Sequence, residues 1–134
     1  MKRLLPLLFL LPSLALILHA RREHDVAVYP VQFVVTSGSY VLPSGYAFEV
    51  WRDEPSGFAA VVDGRATLEF EREGVTTVTV HISRAAAGTT LKTSRGVAPP
   101  VAITVARGSE PQRETLVVTR KECELAIAKL EAAR

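Results

Sequence analysis

The chain has 134 residues, 48% of them hydrophobic, with a formal net charge of +2, 8 Gly, 8 Pro and 1 Cys. These values exclude a disordered chain, which needs low hydrophobicity and high net charge, and also a collagen and a disulfide scaffold. One small globular domain is expected, plus whatever the N-terminus adds.

Met1-Lys2-Arg3 is a positive start, and Leu4 to Leu18 is an uncharged apolar run of 15 residues. That pattern reads as an export signal. A helix of that length is about 22 Å long against a hydrocarbon core of about 30 Å, and Pro6 and Pro12 weaken it further as a permanent span. Cleavage is therefore expected ahead of anchoring. Ser13-Leu14-Ala15 offers small residues at the first and third positions before a cut, whereas a cut after Ala20 removes the whole run but puts Leu18 at the third position. Residues 1–20 are set apart as a signal peptide or an uncleaved signal-anchor, and membrane contact is expected only through them. The expected location is outside the cytoplasm: periplasmic, at the cell surface or secreted. No Cys follows the apolar run, so a lipid-modified bacterial N-terminus is excluded.

Lys2 and Arg3 are the only charged residues of the first 20, so the remainder carries 14 basic and 14 acidic residues. The basic ones are spread singly, with Arg21-Arg22 and Arg120-Lys121 as the adjacent pairs. A nucleic-acid binder concentrates Lys and Arg on one face, and that class is set aside.

Over residues 21–119 the chain reads as an all-β domain, because apolar and polar residues alternate and turn residues punctuate at short intervals. The weaker strand at Val26 to Val35 contains Pro30, which places it at an edge or breaks it there, since Pro cannot donate to a ladder. Tyr46, Phe48 and Val50 alternate with Ala47, Glu49 and Trp51, and a weaker strand follows at Phe58 to Val62. Asp63-Gly64 is a two-residue hairpin signal. Ala66, Leu68 and Phe70 then alternate with Thr67, Glu69 and Glu71, and Val78, Val80 and Ile82 with Thr77, Thr79 and His81. A weaker strand at Thr89 to Thr93 precedes Val101, Ile103 and Val105, which alternate with Ala102, Thr104 and Ala106. Thr115 to Thr119 closes the series. About seven or eight strands at this spacing predict a two-sheet antiparallel sandwich. No long helix lies between them, so a parallel α/β sheet is not expected.

The period changes at 120–134, where Gly, Pro and Thr are absent and Cys123, Ile127 and Leu130 fall on one helical stripe beside Ala126 and Ala133. A helix of about 14 residues is marginal alone in water, so the stripe needs a partner. That partner is either its own sandwich or another subunit. Cys123 has no second cysteine to pair with; buried, it acts as a small hydrophobe, and exposed, it is an intermolecular thiol that would make a homo-oligomer.

Asp63-Gly64-Arg65-Ala66-Thr67-Leu68-Glu69-Phe70, followed by Glu73-Gly74-Val75-Thr76-Thr77-Val78-Thr79-Val80, resembles bacterial immunoglobulin-like modules, including the PKD-like group. The similarity covers about 20 residues. It implies an immunoglobulin-like sandwich that acts as a spacer, adhesive unit or assembly part of an extracytoplasmic protein. The antibody-type Cys, Trp, Cys arrangement is absent, and the C-terminal helix is not part of that pattern.

No catalytic set, cofactor motif or metal set is readable. Beyond residue 20 the histidines are His24 and His81, with Ser83 on the same strand face as His81, but no nucleophile elbow exists. There is no Cys-x-x-Cys and no His pair at helical spacing, and the alternate Glu69, Glu71 and Glu73 read as a solvated strand face. Contact residues are sought instead where Tyr40 and Tyr46 flank Pro43-Ser44-Gly45 and where Trp51 precedes Arg52, since Tyr, Trp and Arg concentrate at interface hot spots. The expected function is a non-enzymatic binding or assembly module of the envelope or surface, with a protein partner or surface ligand. A membrane-anchored structural subunit of secretion or appendage machinery is the alternative, and a small periplasmic hydrolase the third class.

Overall fold

The computed structural model describes residues 28–53, 56–85, 92–108 and 110–133. The expected export segment 1–20 lies outside them, as do residues 89–91 of the strand expected at Thr89 to Thr93. The described residues form eight strands and one helix: β1 (Tyr29–Thr36), β2 (Tyr46–Arg52), β3 (Gly57–Ala60), β4 (Arg65–Phe70), β5 (Gly74–Ala85), β6 (Lys92–Gly96), β7 (Val101–Val105), β8 (Gln112–Val117) and α1 (Arg120–Ala132).

The strands make a three-stranded sheet in the order β4-β1-β8 and a five-stranded sheet in the order β3-β2-β5-β6, with β7 beside the first half of β5. Pairing is antiparallel except between β1 and β8, the first and last strands, which run parallel. The alternating segments turn their apolar sets inward, except that Val101 at the start of β7 is exposed. Val31, Phe33 and Val35 of β1, Ala66, Leu68 and Phe70 of β4, and Val78, Val80 and Ile82 of β5 are all buried in one core with Val50, Ile103, Val105 and Leu116. A two-sheet, sandwich-like packing follows from that shared core, because each half-apolar sheet has to cover its face with another layer. Phe33 and Phe70 meet edge-on across it, ring centroids 6.5 Å apart.

Pro30 corrects one expectation. It does not hold β1 at an edge; β1 is the central strand of its sheet. At Pro30 itself β1 pairs only with Glu69 of β4, because the β8 ladder begins at Val31 opposite Gln112. The proline sits where one side of the strand is still unpaired, which is what its missing N–H requires.

Asp63 and Gly64 form the expected two-residue turn, with φ of 52° and 77°. Val62 and Arg65 exchange backbone hydrogen bonds of 2.8 and 3.0 Å across it, after which the chain passes from the five-stranded to the three-stranded sheet.

The C-terminal stripe is covered by the molecule's own sandwich. Cys123, Ala126 and Leu130 of α1 are buried, with Ile127 half-buried, against β5 and β6. The helix begins on a capping box: the Thr119 hydroxyl accepts from Glu122 N–H at 3.1 Å, and Thr119 N–H donates to Glu122 Oε1 at 2.9 Å. Two orphan donors of the first turn are thereby satisfied.

Candidate functional site

The register of β2 separates the residues sought as contacts. Even-numbered positions face the sandwich interior and odd-numbered ones its outer surface, since successive side chains of a strand alternate. Tyr46 and Arg52 therefore share the inner face with Phe48 and Val50, while Trp51 stands on the outer face with Glu49. Tyr40, Tyr46, Trp51 and Arg52 do not converge on one loop site.

Tyr40 and Tyr46 hold the helix. Both are half-buried against the core. The Arg120 guanidinium at the start of α1 lies 5.8 Å from the Tyr40 ring centroid. Near the other end, the Tyr46 hydroxyl donates to Glu131, and Arg84 reaches Glu131 at 3.2 Å while lying 5.5 Å from the Tyr46 ring. The hydrogen bond to Glu131 is the main cause that raises the Tyr46 phenol above its ordinary pKa of 10.0.

Arg52 closes one end of the sandwich. It donates to the Glu69 carbonyl of β4 and lies 5.9 Å from the Phe70 ring centroid. Its Nε is buried without a partner among the described residues, packed where a side chain at Gly57 would meet it at 3.1 Å. A shallow cavity of about 500 Å³ opens beside it, lined by Phe70, Arg72, Gly74 and Thr76.

The outer face of the five-stranded sheet carries a different cluster. Trp51 is stacked between two rings: Phe58 of β3 on one side, with centroids 4.7 Å apart and planes at 17°, and His81 of β5 on the other, at 4.8 Å and 23°. Phe58 is Trp51's direct cross-strand partner, and His81 is its diagonal neighbour, opposite Glu49. Such pairs on one sheet face are the units of sheet stabilisation. The Trp51 indole N–H donates to Glu49 Oε1 at 3.1 Å. Glu49 is only 3% exposed although it lies on the outer face beside Trp51. Phe58, at the end of the row, is 50% exposed.

His81 Nδ1 lies 3.3 Å from Ser94 Oγ on β6, and opposite His81 in that ladder is Gly96, which puts bare backbone beside the imidazole edge. Burial pushes His81 below its ordinary pKa of 6.5, with the Glu49 and Asp53 carboxylates acting in the opposite direction. Asp53 accepts from the Thr77 hydroxyl at 2.5 Å. Ser83, on the same face, is buried and its hydroxyl reaches the Ala47 carbonyl at 3.5 Å. The hydroxyl, imidazole and carboxylate lie along an open ladder, and the cavities beside Arg52 and around Pro30 and Gly108 open elsewhere.

Cys123 is fully buried beneath α1, and burial is the main cause that raises its thiol pKa above 9.0. A thiol in that position acts as a packing group; an intermolecular bond through it requires the helix to lift. Among the described residues no cluster of three or more His, Cys, Asp or Glu side chains is placed to hold a metal ion.

Sequence reasoning singled out Trp51 but missed Phe58 and Glu49 as its neighbours. Glu49 and Trp51 share a parity that could be read from β2 alone. Which residue of β3 meets Trp51 depends on a register that the loop after Arg52 sets and that no residue pattern encodes. Set against protein-family models, curated proteins and solved structures, the chain matches none of them.

Proposed function

We propose that the chain is a non-catalytic binding or assembly module of the cell envelope or surface, an immunoglobulin-like sandwich carried out of the cytoplasm by residues 1–20. Its contact surface is the outer face of the five-stranded sheet. The observation that carries this reading is the Phe58–Trp51–His81 stack, which leaves a half-exposed phenylalanine and an indole on an open sheet face. Aromatic side chains in that setting offer large contact area at low entropic cost, which is why they dominate interface hot spots. Two sheets around a shared core, with the first and last strands side by side, support the immunoglobulin-like assignment.

A photo-reactive benzophenone side chain placed at position 58 in intact cells tests the surface. Position 67 serves as control, because Thr67 is exposed on the outer face of the other sheet. The reading predicts a discrete adduct from position 58 and none from position 67. Equal adducts from both, or none from either, contradict it. The intact mass of the protein recovered from envelope and medium tests the export arm: loss of the first 15 or 20 residues supports a released module. A full-length mass confined to the cytoplasm overturns export.

A further inference from the structure

The edge of a sheet presents unpaired N–H and C=O groups, which pair with another chain unless something covers or repels it. β4 carries Arg65 and Glu69, β6 Lys92 and Arg95, and β8 Arg113 and Glu114, and such charges blunt an edge. β7, Val101-Ala102-Ile103-Thr104-Val105, has neither charge nor proline. Continued by Ala106, it has the uncharged, β-branched composition that stacks against copies of itself. Pro99-Pro100 fences only its start.

Among the described residues β7 has a ladder partner on one side only, β5. On its other side stands the side chain of Gln112, from β8 of the other sheet. Gln112 Oε1 accepts from Ala106 N–H at 3.0 Å, and Gln112 Nε2 donates to the Thr104 carbonyl at 2.7 Å. A residue of a parallel strand beside Val105 would make the same two bonds, its N–H to the carbonyl before Val105 and its C=O from the N–H after it. The Gln112 amide therefore stands in for one residue of a further strand. Its Nε2 also donates to Glu114 Oε1 at 2.8 Å, which fixes the orientation, because a turned amide would set its oxygen against two acceptors.

We propose that Gln112 is an autoinhibitory strap: its side chain holds the β7 edge closed, and its release lets β7 pair with β7 of a second copy of this chain. The occupant follows from charge and register. Two copies of β7 bring no like charges together, so nothing on the strand repels its own copy. An antiparallel pair centred on Thr104 sets Thr104 opposite Thr104 and Ala102 opposite Ala106, and it needs the Thr104 carbonyl and the Ala106 N–H, the two groups that Gln112 fills. With the strap in place, β7 stays unavailable to its own copy. This device is independent of the binding reading given above, which concerns the other side of the same sheet.

The full-length protein in nonionic detergent is followed by sedimentation velocity, with amide exchange read by NMR and corrected for intrinsic rates. In the wild type the Ala106 amide is expected to exchange at least about fivefold more slowly than that of Ala102, which the alternation of the ladder turns to the same edge with no Gln112 to accept from it. Gln112→Ala is expected to abolish that difference and to add a self-association, absent from the wild type, that grows with concentration. Thr104 is exposed, so Thr104→Lys leaves the core untouched and sets like charges opposite each other in the paired copies. Combined with Gln112→Ala, it is expected to return the chain to its wild-type sedimentation. If Gln112→Ala fails to fold, Glu114→Ala, which loosens the strap from outside it, takes its place in every comparison. Equal exchange of Ala106 and Ala102 in the wild type, a strap variant that sediments as the wild type does, or an added association that Thr104→Lys leaves unchanged overturns the proposal.

Discussion

Trp51 and His81 lie nearly parallel, 4.8 Å apart, and the Trp51 indole N–H donates to the carboxylate of Glu49, the residue opposite His81 in the β2–β5 ladder. The stack thus ties a titratable ring on β5 to a buried acid on β2, and protonation of His81 is coupled to folding.

Burial depresses the His81 pKa below 6.5, so the unfolded chain takes up the proton before the folded one does. The contribution to stability is complete above the unfolded value and is lost as the pH falls through the lower, folded one. Urea midpoints measured from pH 7.5 downward are therefore expected to fall as the pH drops below about 6.5. His81→Gln should flatten that slope, and a slope unchanged in the variant would show that other groups cause it. Glu49→Gln, by removing a carboxylate that holds the proton on, is expected to lower the His81 pKa further in an NMR titration.

The capping box at Thr119 makes a second prediction. Thr119→Ala removes the acceptor for Glu122 N–H and should cost about 1 kcal/mol in a denaturant titration, while Thr119→Ser keeps the oxygen and most of the stability. Equal losses in the two variants would indicate that the side chain matters through packing.

Cys123 is expected to resist thiol reagents in the folded protein, because it is fully buried and its thiol pKa is raised. Labelling should rise with urea in step with global unfolding. Rapid labelling without urea would show that α1 lifts from β5 and β6 on its own.

The turn at Asp63-Gly64 supplies the fourth prediction. A side chain at Gly64 would clear its nearest neighbour, the Val35 carbonyl oxygen, at 3.7 Å, so the obstacle to Gly64→Ala is the φ of 77° and not space. The expected cost is about 1 kcal/mol by thermal or urea unfolding. Asp63→Gly, at φ 52°, is expected to be tolerated, and Asp63→Val to be costly because a β-branched residue disfavours positive φ.

The strands were legible because alternation is a local property. Ala66, Leu68 and Phe70 announce a half-buried strand whatever they pair with, and all three are buried. The helix was legible from its period, and the turn from Asp63-Gly64. Strand neighbours were not, which is why Pro30 misled: its missing N–H forbids a partner on one side at one residue, and it says nothing about the six residues that follow in β1. The candidate surface was half legible for the same reason. Trp51 could be picked out by type and Glu49 by its parity on β2, but Phe58 and His81 join them only through the pairing of β2 with β3 and β5. Tyr40 and Tyr46 share Trp51's chemistry yet fall to the helix, because the parity of β2 and the position of α1 decide which aromatic groups are covered.

The measurement closest to the central claim is hydrogen–deuterium exchange of the full chain, alone and after incubation with the cell-envelope fraction. The account predicts added protection over residues 56–62, where β3 turns the backbone of Phe58 and Ala60 to the free edge, with β8 at the edge of the other sheet unchanged. No added protection at 56–62, or protection confined to β8 and α1, would contradict it.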